Sequence, residues 1–538
     1  MRPVGWLVML VCLAVSAGCT GECTNCVTPT DGGGCTTCVP DGGRFAIFVI
    51  DGTNFSVPDG GTQVLADGGP VQSSVSGYET IPLFQIQLAP NGNIGIAYVE
   101  FSVDQTDNKA VDDPSVLNYD ILYSEFSNST GAVVLGPERV TGDVPVQNYV
   151  GVSLDYYNGE PVVGLLGWAA APGYDSTQAY WYQHNAVVSY RNLNGAASPG
   201  AWTEVTVESN PGNPGIDQAS TGTACGEDGS CSEGSITGLY PAVFVDGSET
   251  ILAYRNVHFG SSTGTGDFDN SNFDIGFGGP SSWSYFGLAW GKPGIPLPLS
   301  PAQPATSRGC ATSTGRTAYG DHSRFIHGDS NNPVLISDIG GNEYNTYGTD
   351  VIFFERQNGT TWNCPLSIVK LQDDGVVAQN LQETGPSIAY DSQGLGYAVA
   401  VSDISGTGAA YFKTCNPALA GGCTTIGNWT EFQTVFQSGS GGYFSSVALN
   451  PDTHDPWVAY YYCSASSSYN EFSCPKAERL LQVATSPGNI GIWRPEAVDT
   501  QGAWQTQMLY LTNPSTQLVI GYRDPTTGAM KLAVENPE

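Results

Sequence analysis

Charged and polar residues recur in this 538-residue chain directly after short apolar segments rich in Val, Ile, Leu and Tyr. At the ends of buried strands, such residues can bind a cation or the hydroxyl groups of a sugar, because they offer oxygen ligands and hydrogen-bond donors. The alternative is local, since Asp and Asn at strand ends also satisfy backbone N–H groups in turns. The candidate ligand-binding residues are Arg255, Asp338, Asp403, Arg523 and Asp524, with Glu100, Asn256 and Tyr462 at corresponding positions.

A second candidate site is the acidic segment GTGDFDNSNFDIGFGG at residues 264–279. Oxygen-bearing side chains alternate here within a Gly-rich stretch, and calcium takes about six to eight oxygen ligands. The spacing differs from the helix-loop-helix calcium pattern, and a solvated loop without metal is the alternative. The predicted calcium ligands are Asp267, Asp269, Asn272 and Asp274.

Catalytic chemistry has weaker support in the sequence. Glycoside hydrolysis needs two carboxylates across a sugar, and no motif fixes such a pair. A Ser-His-Asp hydrolase would carry a Gly-x-Ser-x-Gly elbow, which is absent. His322 and His327 lie near Asp321 and Asp329 at a spacing that suits either a metal site or a polar loop. We therefore nominate no catalytic residue and favour binding over catalysis.

The composition limits the class of partner. The formal net charge is −33, with 18 Lys and Arg residues in the whole chain. Proteins that bind nucleic acid need basic patches, so nucleic acid is excluded as a partner. Only 13% of residues are charged while 68 are Gly, a balance typical of β-structure with many turns.

The segments that must position these residues form a repeat. Each copy is an alternating strand, a turn rich in Asn, Asp and Gly, and a second strand that is apolar at nearly every position, as expected for a strand buried on both faces. Many copies continue with a third strand and a fourth, often Trp-bearing, strand. There are seven copies, and their first two strands with the turn between them span residues 85–101, 152–168, 241–257, 323–339, 386–403, 445–462 and 506–524.

This repeat predicts an all-β fold, a β-propeller of about seven four-stranded blades. Six or eight blades, or two successive β-sandwiches, are the alternatives. The last copy has only three strands, and FAIFVIDGTNF from Phe45 has no partner of its own. We predict that this segment closes the ring as the outer strand of the last blade. The aromatic segment SSWSYFGLAWGKPG at 281–294 is read either as a carbohydrate platform or as strands of the third blade.

The repeat resembles the secreted propellers grouped with sialidase-like and BNR-type repeats, over most of residues 44–538. The likeness is one of repeat shape, because no clean Ser-x-Asp-x-Gly-x-x-Trp box and no terminal Trp-Asp occur. The resemblance implies a propeller with ligands at one mouth of its channel. It also implies an alternative function, a secreted glycoside hydrolase of sialidase-like type. That activity would need converging arginines, for which Arg255, Arg324 and Arg523 are available.

The amino terminus predicts export. Arg2 precedes an apolar run at residues 4–15, followed by Ser-Ala-Gly before Cys19. A short positive start, an apolar run and small residues are typical of a signal peptide, here 1–18. The ending resembles a bacterial lipobox, with Ser16 in place of the usual Leu. The resemblance implies a lipid on Cys19 and, with Thr20 next, an outer-membrane lipoprotein on the periplasmic or cell-surface side. Residues 19–43 would be a tether and 44–538 the propeller domain.

Twelve cysteines remain beyond Cys19, an even number that favours disulfides in an exported chain. Cys23-x-x-Cys26 and Cys35-x-x-Cys38 in the tether fit either small disulfide loops or a zinc site. The predicted pairs in the body join sequence neighbours and one remaining pair: Cys225 with Cys231, Cys415 with Cys423, Cys463 with Cys474, and Cys310 with Cys364.

These observations predict a membrane-anchored extracytoplasmic β-propeller that acts as a binding or scaffold module. Its ligand would be a glycan or a protein, its cofactor at most calcium, and its membrane contact the lipid anchor.

Overall fold

Tight turns between alternating apolar strands produce the hairpins of this protein. Between Val152–Tyr157 and Glu160–Trp168, for example, the turn is Asn158-Gly159, with φ of 52° and 85°. Two consecutive left-handed residues form the turn type whose twist matches that of the flanking strands, and Asn-Gly is its preferred sequence. The predicted hairpin chemistry is confirmed at this position.

The structure is a computed structural model, and all strands in it are antiparallel. Apart from the strands, the described residues contain four short 3₁₀ turns, at Asp329–Asn331, Gly422–Thr424, Ile426–Asn428 and Pro487–Asn489. The described residues are 37–38, 44–51, 55–56, 64–65, 84–102, 118–145, 151–168, 184–193, 200–208, 235–258, 271–290, 318–340, 350–358, 361–363, 366–370, 385–403, 409–436, 440–442, 444–464, 474–475, 477–513, 515–525 and 528–537.

Four strands precede the first complete blade, and two of them pair only with each other. They are β1 (Thr37–Cys38), β2 (Phe45–Asp51), β3 (Phe55–Ser56) and β4 (Val64–Leu65), of which β3 pairs with β4. Blade 1 is β5 (Phe84–Leu88), β6 (Ile94–Ser102), β7 (Asn118–Ser127) and β8 (Ala132–Pro145). Blade 2 is β9 (Val152–Tyr157), β10 (Glu160–Trp168), β11 (His184–Arg191) and β12 (Trp202–Glu208).

Blades 3 to 5 follow the same order from the inner strand outwards. Blade 3 is β13 (Ser235–Asp246), β14 (Glu249–His258), β15 (Ser271–Gly279) and β16 (Ser282–Trp290). Blade 4 is β17 (Ala318–His327), β18 (Pro333–Gly340), β19 (Asp350–Asn358), and the short β20 (Thr361–Trp362) and β21 (Leu366–Lys370), which both pair with β19. Blade 5 is β22 (Ser387–Asp391), β23 (Gly396–Asp403), β24 (Ala409–Cys415) and β25 (Gln433–Thr434).

Blades 6 and 7 complete the ring. Blade 6 is β26 (Ser440–Gly441), β27 (Ser446–Leu449), β28 (Pro456–Cys463), β29 (Arg479–Thr485) and β30 (Arg494–Asp499), with β26 and β27 both on the inner side of β28. Blade 7 is β31 (Trp504–Leu511), β32 (Gln517–Arg523), β33 (Met530–Glu535) and, as its fourth strand, β2.

The amino-terminal strand closes the propeller as the sequence predicts. Phe45 of β2 pairs with Glu535 of β33, and Ile47 pairs with Ala533. On the outer edge of β2, β1 adds a two-residue strand from the segment assigned to the tether. The inner strands β5 and β31 pack against each other, so blades 1 and 7 are neighbours and the ring is continuous. The all-β, seven-bladed propeller is confirmed.

The core lies between the blades. Blades 3 and 4, for example, bury Ile251, Phe273 and Ile275 against Leu335 and Phe354. The second strands are buried on both faces, as their uninterrupted apolar sequences predict; β32 is buried at every residue. One face of each sheet packs on the preceding blade and the other on the following blade, which removes most of the apolar surface of all seven sheets from water.

The fourth strand of blade 5 is shorter than its sequence predicts. The repeat predicts a full, Trp-bearing fourth strand here, in the segment NWTEFQTV at residues 428–435. Only Gln433–Thr434 pairs with β24, together with a single bridge between Trp429 and Cys415. The disulfide Cys415–Cys423 and two 3₁₀ turns occupy the connection. Closing this loop covalently holds Trp429 against the blade without a longer ladder.

Two further features concern cysteines and aromatic residues. Cys463–Cys474 is the second disulfide among the described residues, and both are pairs predicted from sequence proximity. The other two predicted pairs, Cys225–Cys231 and Cys310–Cys364, lie outside the described residues. Most of the aromatic segment 281–294 is β16, so of the two interpretations it forms a strand of blade 3. No described helix is long and apolar enough to cross a membrane.

Candidate functional site: the upper face of the propeller

The two ends of the propeller differ in how the strands are joined. At one end, called here the upper face, the first and third strands begin and the second and fourth strands end. Long connections join the strand ends there, at 103–117, 169–183, 209–234, 259–270, 291–317 and 371–386, nearly all of them outside the described residues. The opposite end, the lower face, has mostly short turns such as 158–159 and 247–248, with longer connections at 192–201 and 416–432.

The predicted ligand-binding residues lie at the upper ends of the second strands. Arg255, Asp338 and Arg523 occupy the same position in β14, β18 and β32, where each pairs with an inner-strand residue beyond a register shift: Leu239, Asp321 and Trp504. All three side chains are buried, with at most 4% of their surface exposed. Asp403 is the last residue of β23, and its side chain lies outside the described atoms. The topology therefore brings these positions to one end of the channel.

Arg523 connects blade 7 to blade 1. Its Nη1 donates a hydrogen bond to the Gly528 carbonyl at 2.7 Å, and its Nη2 donates to the Val99 carbonyl of blade 1. The guanidinium also lies 5.6 Å from the centre of the Tyr98 ring. Because Arg offers five donors in a planar fork, one buried side chain can satisfy backbone acceptors in two blades.

Asp524, the neighbouring candidate, lies in an ionic network. Lys531 Nζ donates to a carboxylate oxygen of Asp524 and lies 3.5 Å from Asp499 of blade 6. The Tyr522 hydroxyl donates to Asp499 at 2.6 Å. Burial, together with the charge of Asp499, raises the pKa of Tyr522 far above its usual value, so this hydroxyl stays protonated and acts as a donor. The network joins blade 6 to blade 7.

Asp338 is the centre of a larger group of contacts. Its two carboxylate oxygens lie 3.1 Å from His322 Nδ1, and one of them accepts a hydrogen bond from the Gly385 N–H of blade 5 at 3.1 Å. The His322 ring lies 4.9 Å from Tyr240 of blade 3 and 5.7 Å from Phe444 of blade 6. These five residues, called here the His322 hub, link four consecutive blades.

The hub depends on an unusual backbone conformation at the start of the inner strands. In blades 3 to 6 the residue two positions before the regular pairing has a positive φ, and in blade 7 the residue one position before it does. These residues are Tyr240, His322, Gly385, Phe444 and Gln505, with values of 45–59°. Side chains other than Gly rarely adopt this conformation, and where they do it marks strain that packing must offset.

Gly385 is required at its place in the hub. A Cβ atom there would lie 2.5 Å from the Phe444 ring, closer than any real contact. Because residue 385 of blade 5 has no side chain, the His322 ring of blade 4 and the Phe444 ring of blade 6 can contact each other. The resulting group of aromatic rings is almost completely buried.

Sequence reasoning placed Asp338 at this end but missed the hub. A signal was available: Gly-x-aromatic, or Gly-x-His, occurs as Gly238-Leu-Tyr240, Gly320-Asp-His322 and Gly442-Tyr-Phe444. The first Gly of each also has a positive φ, between 82° and 103°. Of His322 and His327, considered together as metal ligands, the first lies near the middle of β17 and the second is its last residue, where the His327 ring packs 4.3 Å from Phe244. The two imidazoles do not share a site.

The hub can hold and orient a proton. A carboxylate that binds Nδ1 of an imidazole fixes its tautomer and orientation, an arrangement used by general bases. Arg324 adds a positive charge on the same strand; burial lowers the pKa of Arg324 to about 10, while the carboxylate of Asp338 acts in the opposite direction. The guanidinium remains charged at neutral pH.

The predicted calcium ligands are only partly within the described structure. Asp267 and Asp269 lie outside it, and only the backbone of Asn272 is described. Asp274 lies in β15, paired with Tyr254, and is buried. Burial, followed by the charges of Glu208 and Asp274, raises the pKa of Tyr285 to about 12. Among the side chains that the structure describes, no group of three or more His, Cys, Asp or Glu is arranged to hold a metal ion.

Inner strands are further tied by side chains that bond to the next blade. Leu154 N–H donates to Gln85 Oε1 at 3.0 Å, and Val243 N–H donates to Ser153 Oγ at 2.9 Å. Gln507 closes the circle by accepting from the N–H of Ile86 at 3.0 Å. Each bond satisfies a backbone group on an edge strand that faces the channel, which would otherwise be unpaired.

The lower face is joined by arginines instead. Arg191 binds Glu138 of blade 1 at 2.7 Å, Arg356 of blade 4 binds Glu249 of blade 3 at 2.7 Å, and Arg44 lies 3.4 Å from Glu496 of blade 6. Several of these carboxylates are more than one-third exposed, as surface ion pairs usually are.

Comparison of this seven-bladed β-propeller with known proteins finds a loose likeness to sialidases. No family model and no curated protein matches the sequence. Among solved structures, Trypanosoma rangeli sialidase in complex with sialic acid matches at 11% identity over 76% of this chain and 56% of that one, with a TM-score of 0.35. NanB sialidase from Streptococcus pneumoniae matches at 10% identity over 84% and 68%, with a TM-score of 0.38.

The chain thus spans little more than half the length of the Trypanosoma rangeli enzyme. At this identity the likeness lies in the repeat architecture and does not extend to activity. The resemblance predicted from the repeats is confirmed at that level.

Proposed function

We propose that this protein is an extracytoplasmic binding or scaffold module, held at a membrane by a lipid on Cys19, whose glycan or protein ligand binds at the upper face. The observation that carries the proposal is the asymmetry of the two ends. Most of the long connections leave the upper face, and binding residues concentrate on such connections when a rigid scaffold positions them. The hydrogen bonds between neighbouring blades, beneath these connections, supply that rigidity.

Binding is favoured over catalysis because the charged residues at the upper face already bond to other parts of the fold. Asp338, Arg523 and Asp524 each form bonds between or within blades, so the sequence signal that nominated them as ligand-binding residues also has a structural explanation. Arg255 is also buried and held by contacts, and with Asp403 it remains a candidate ligand-binding residue of the proposal. A buried carboxylate that already holds an imidazole and a backbone N–H is poorly placed to attack a substrate.

The full mature chain, applied to an immobilised glycan array and to extracellular-matrix proteins on the same support, tests the proposal. Saturable binding that is weakened by Arg255→Met, with the fold intact by circular dichroism, is the expected result. The matched control is Arg356→Met on the lower face, which should bind normally. Absence of saturable binding to any probe would contradict the proposal.

The alternative is a glycoside hydrolase of sialidase-like type, which the buried arginines at the upper face favour. A fluorogenic sialoside and a panel of neutral fluorogenic glycosides test this alternative. Turnover that is lost in Asp403→Asn would replace the binding proposal with an enzymatic one.

Anchoring is tested separately from binding. Cells fed a radiolabelled fatty acid should incorporate label into the wild-type chain and not into Cys19→Ser, with the protein in the outer-membrane fraction. Label in both chains, or in neither, would contradict the proposed anchor.

Calcium remains part of the proposal as a ligand of the 264–279 segment. A chelator should lower the melting temperature of the full chain by several degrees, because a ligand bound only to the native state stabilises it by mass action. Asp267→Asn with Asp269→Asn should abolish that shift. An unchanged melting temperature would rule the site out.

A further inference from the structure

We infer that the lower face of blades 5 and 6 rests on a lipid surface through four exposed aliphatic side chains. These are Leu419, Ile426, Ile490 and Ile492, which we call the apolar pad. The inference rests on the proposed anchoring, since the lipid on Cys19 would keep the domain beside a membrane, but the two are tested independently below.

The pad is the most exposed group of aliphatic residues on neighbouring connections. Ile490 and Ile492 are 65% and 61% exposed, and Leu419 and Ile426 are 49% and 48% exposed. The first two lie between β29 and β30, and the other two between β24 and β25. Single exposed aliphatics are ordinary, but a cluster on adjacent loops marks a surface that meets an apolar partner.

Both isoleucines of blade 6 are held outwards by a formed turn. Gly488, Asn489 and Gly491 have φ values of 68°, 50° and 74°, which reverse the chain on either side of Ile490. Trp493, directly after them, packs its ring 5.1 Å from the Phe412 ring of blade 5. The isoleucines are thus displayed on a turn that the core fixes in place.

The loop of blade 5 is equally well defined. The disulfide Cys415–Cys423 closes it, and Trp429 Nε1 donates a hydrogen bond to the Cys423 carbonyl at 2.9 Å. Asn428 Nδ2 donates to the Gly422 carbonyl at 2.7 Å. Leu419 and Ile426 are carried on this frame, so their exposure is a feature of the folded loop.

The two loops meet where the blade 5 loop ends, and the four side chains lie on the same lower face of blades 5 and 6. Gln433, where the blade 5 loop ends, donates from Nε2 to Asn489 Oδ1 in the blade 6 turn at 3.4 Å. A Cβ atom on Gly491 would lie 3.8 Å from the Gln433 carboxamide. The contact joins the loops side by side at the lower face.

Charge favours a lipid surface as the occupant. Within 416–436 and 486–494 the charged residues are Glu431 and Arg494, and Asp455 accepts a hydrogen bond from the Gly488 N–H of the blade 6 turn at 2.6 Å. The pad thus carries little charge for a chain whose net charge is −33, and anionic headgroups would repel it less than most of the surface. Aliphatic side chains that enter the headgroup region gain the free energy of leaving water.

The tether permits this orientation. The described chain begins at Thr37 on the outer edge of blade 7, the neighbour of blade 6. Residues 19–36, fully extended, span at most ~60 Å, while a seven-residue strand is ~23 Å long. The tether can therefore reach past the blade edge to the lower face, and the upper face would then point away from the membrane.

Vesicle flotation tests the pad without the anchor. The full mature chain carrying Cys19→Ser, which has no acyl group, is floated with vesicles of phosphatidylethanolamine and phosphatidylglycerol. Adding Ile490→Ser and Ile492→Ser should weaken partition roughly tenfold or more, as the transfer of two aliphatic side chains implies. The matched control is Val134→Ser, which removes an aliphatic residue 50% exposed on blade 1 and should leave partition unchanged.

The outcomes separate the pad from the anchor. Vesicle binding that needs the isoleucines, without fatty-acid label on Cys19, would support the pad and overturn the anchor. Label on Cys19, with Cys19→Ser protein that never floats, would support the anchor and overturn the pad. A dimer in analytical ultracentrifugation that Ile490→Ser and Ile492→Ser dissolve would overturn the inference, because the occupant would be a second copy.

Discussion

The upper and lower faces join the same seven blades by different chemistry. At the lower face, arginines such as Arg191 and Arg356 bind carboxylates of the neighbouring blade near solvent. At the upper face, buried groups such as Asp338, Ser402 and Arg523 bind backbone atoms of the next blade. Surface pairs contribute little and are screened by salt, whereas breaking a buried tie exposes the full desolvation cost of its partners.

This difference teaches where the fold can vary. The lower face can lose one contact without losing the ring, while the upper face fixes each inner strand where a long connection emerges. The proposed ligand would therefore meet loops whose strand ends are held by buried hydrogen bonds between blades.

Two His–Asp pairs, one on each face, give the largest expected contrast. Asp338→Ala should lower the free energy of unfolding by about 3–5 kcal/mol, because it leaves His322 in a buried site without its carboxylate. Asp391→Ala breaks the partly exposed pair with His454, whose Nδ1 lies 2.6 Å from the carboxylate, and should cost about 1 kcal/mol or less. Urea unfolding measures both losses of unfolding free energy. Equal losses would show that the buried upper-face pair stabilises the fold no more than the partly exposed lower-face pair.

Two glycines with positive φ test the hub by steric means. Gly385→Ala should lower the free energy of unfolding by about 2–4 kcal/mol, since its methyl group would overlap the Phe444 ring. Gly92→Ala, in a lower-face turn with φ of 85° and no atom within 4 Å of its Cβ position, should cost only about 1 kcal/mol. Thermal and urea unfolding of the two variants should rank them in this order, and the reverse ranking would show that the hub is loosely packed.

The pH dependence of stability tests the hydrogen bond that Asp155 accepts from the Val245 N–H of the neighbouring blade. Burial raises the pKa of Asp155 to about 6, although the N–H groups of Val245 and Tyr156 lower it. The folded state therefore binds more protons than the unfolded state between pH ~4 and ~6, and this group's contribution to stability falls as pH rises through that window.

Asp155→Asn removes this titration. The difference in unfolding free energy between the variant and the wild type should shift by about 3 kcal/mol in favour of the variant from pH ~4 to ~7. Urea unfolding across that range provides the measurement. A difference that stays constant with pH would mean that the carboxyl group titrates as in the unfolded chain.

The lower-face clamp of Arg356 should give the smallest effect. Arg356→Met removes the ion pairs with Asp246 and Glu249 and keeps much of the packing on Phe277, so a loss of about 1 kcal/mol or less is expected. The loss should shrink further at high salt because the pair lies near solvent. A loss that is large and independent of salt would place this clamp among the buried ties.

The fold followed from local patterns because each blade is built from short-range hairpins. The uninterrupted apolar sequence of β32 and the Asn-Gly turn at 158–159 each depend on a few neighbouring residues. Closure by β2 was also predictable, since one unpaired strand and one three-stranded blade leave few alternatives. The fourth strand of blade 5 was overestimated because a disulfide replaces a ladder there.

The candidate site followed only in part. The charges at the ends of the second strands mark the upper face correctly as a set of positions. Their partners lie one blade away, however, as with Arg523 and Val99, which are separated by more than 400 residues. The His322 hub depends on the backbone conformation before the strands and on a missing side chain in blade 5, neither of which appears in hydrophobic periodicity.

The pairing of β2 with β33 has a consequence for the order of assembly. The first strand of the ring to be synthesised pairs with the last, Phe45 with Glu535. Blades 1 to 6 consist of consecutive strands and can each form soon after their own segment is made. Blade 7 must wait for the final residues, and since non-local pairing carries a large entropic cost, ring closure should be a late and slow event. A chain that crosses a membrane amino terminus first would thus remain open until its whole length has arrived.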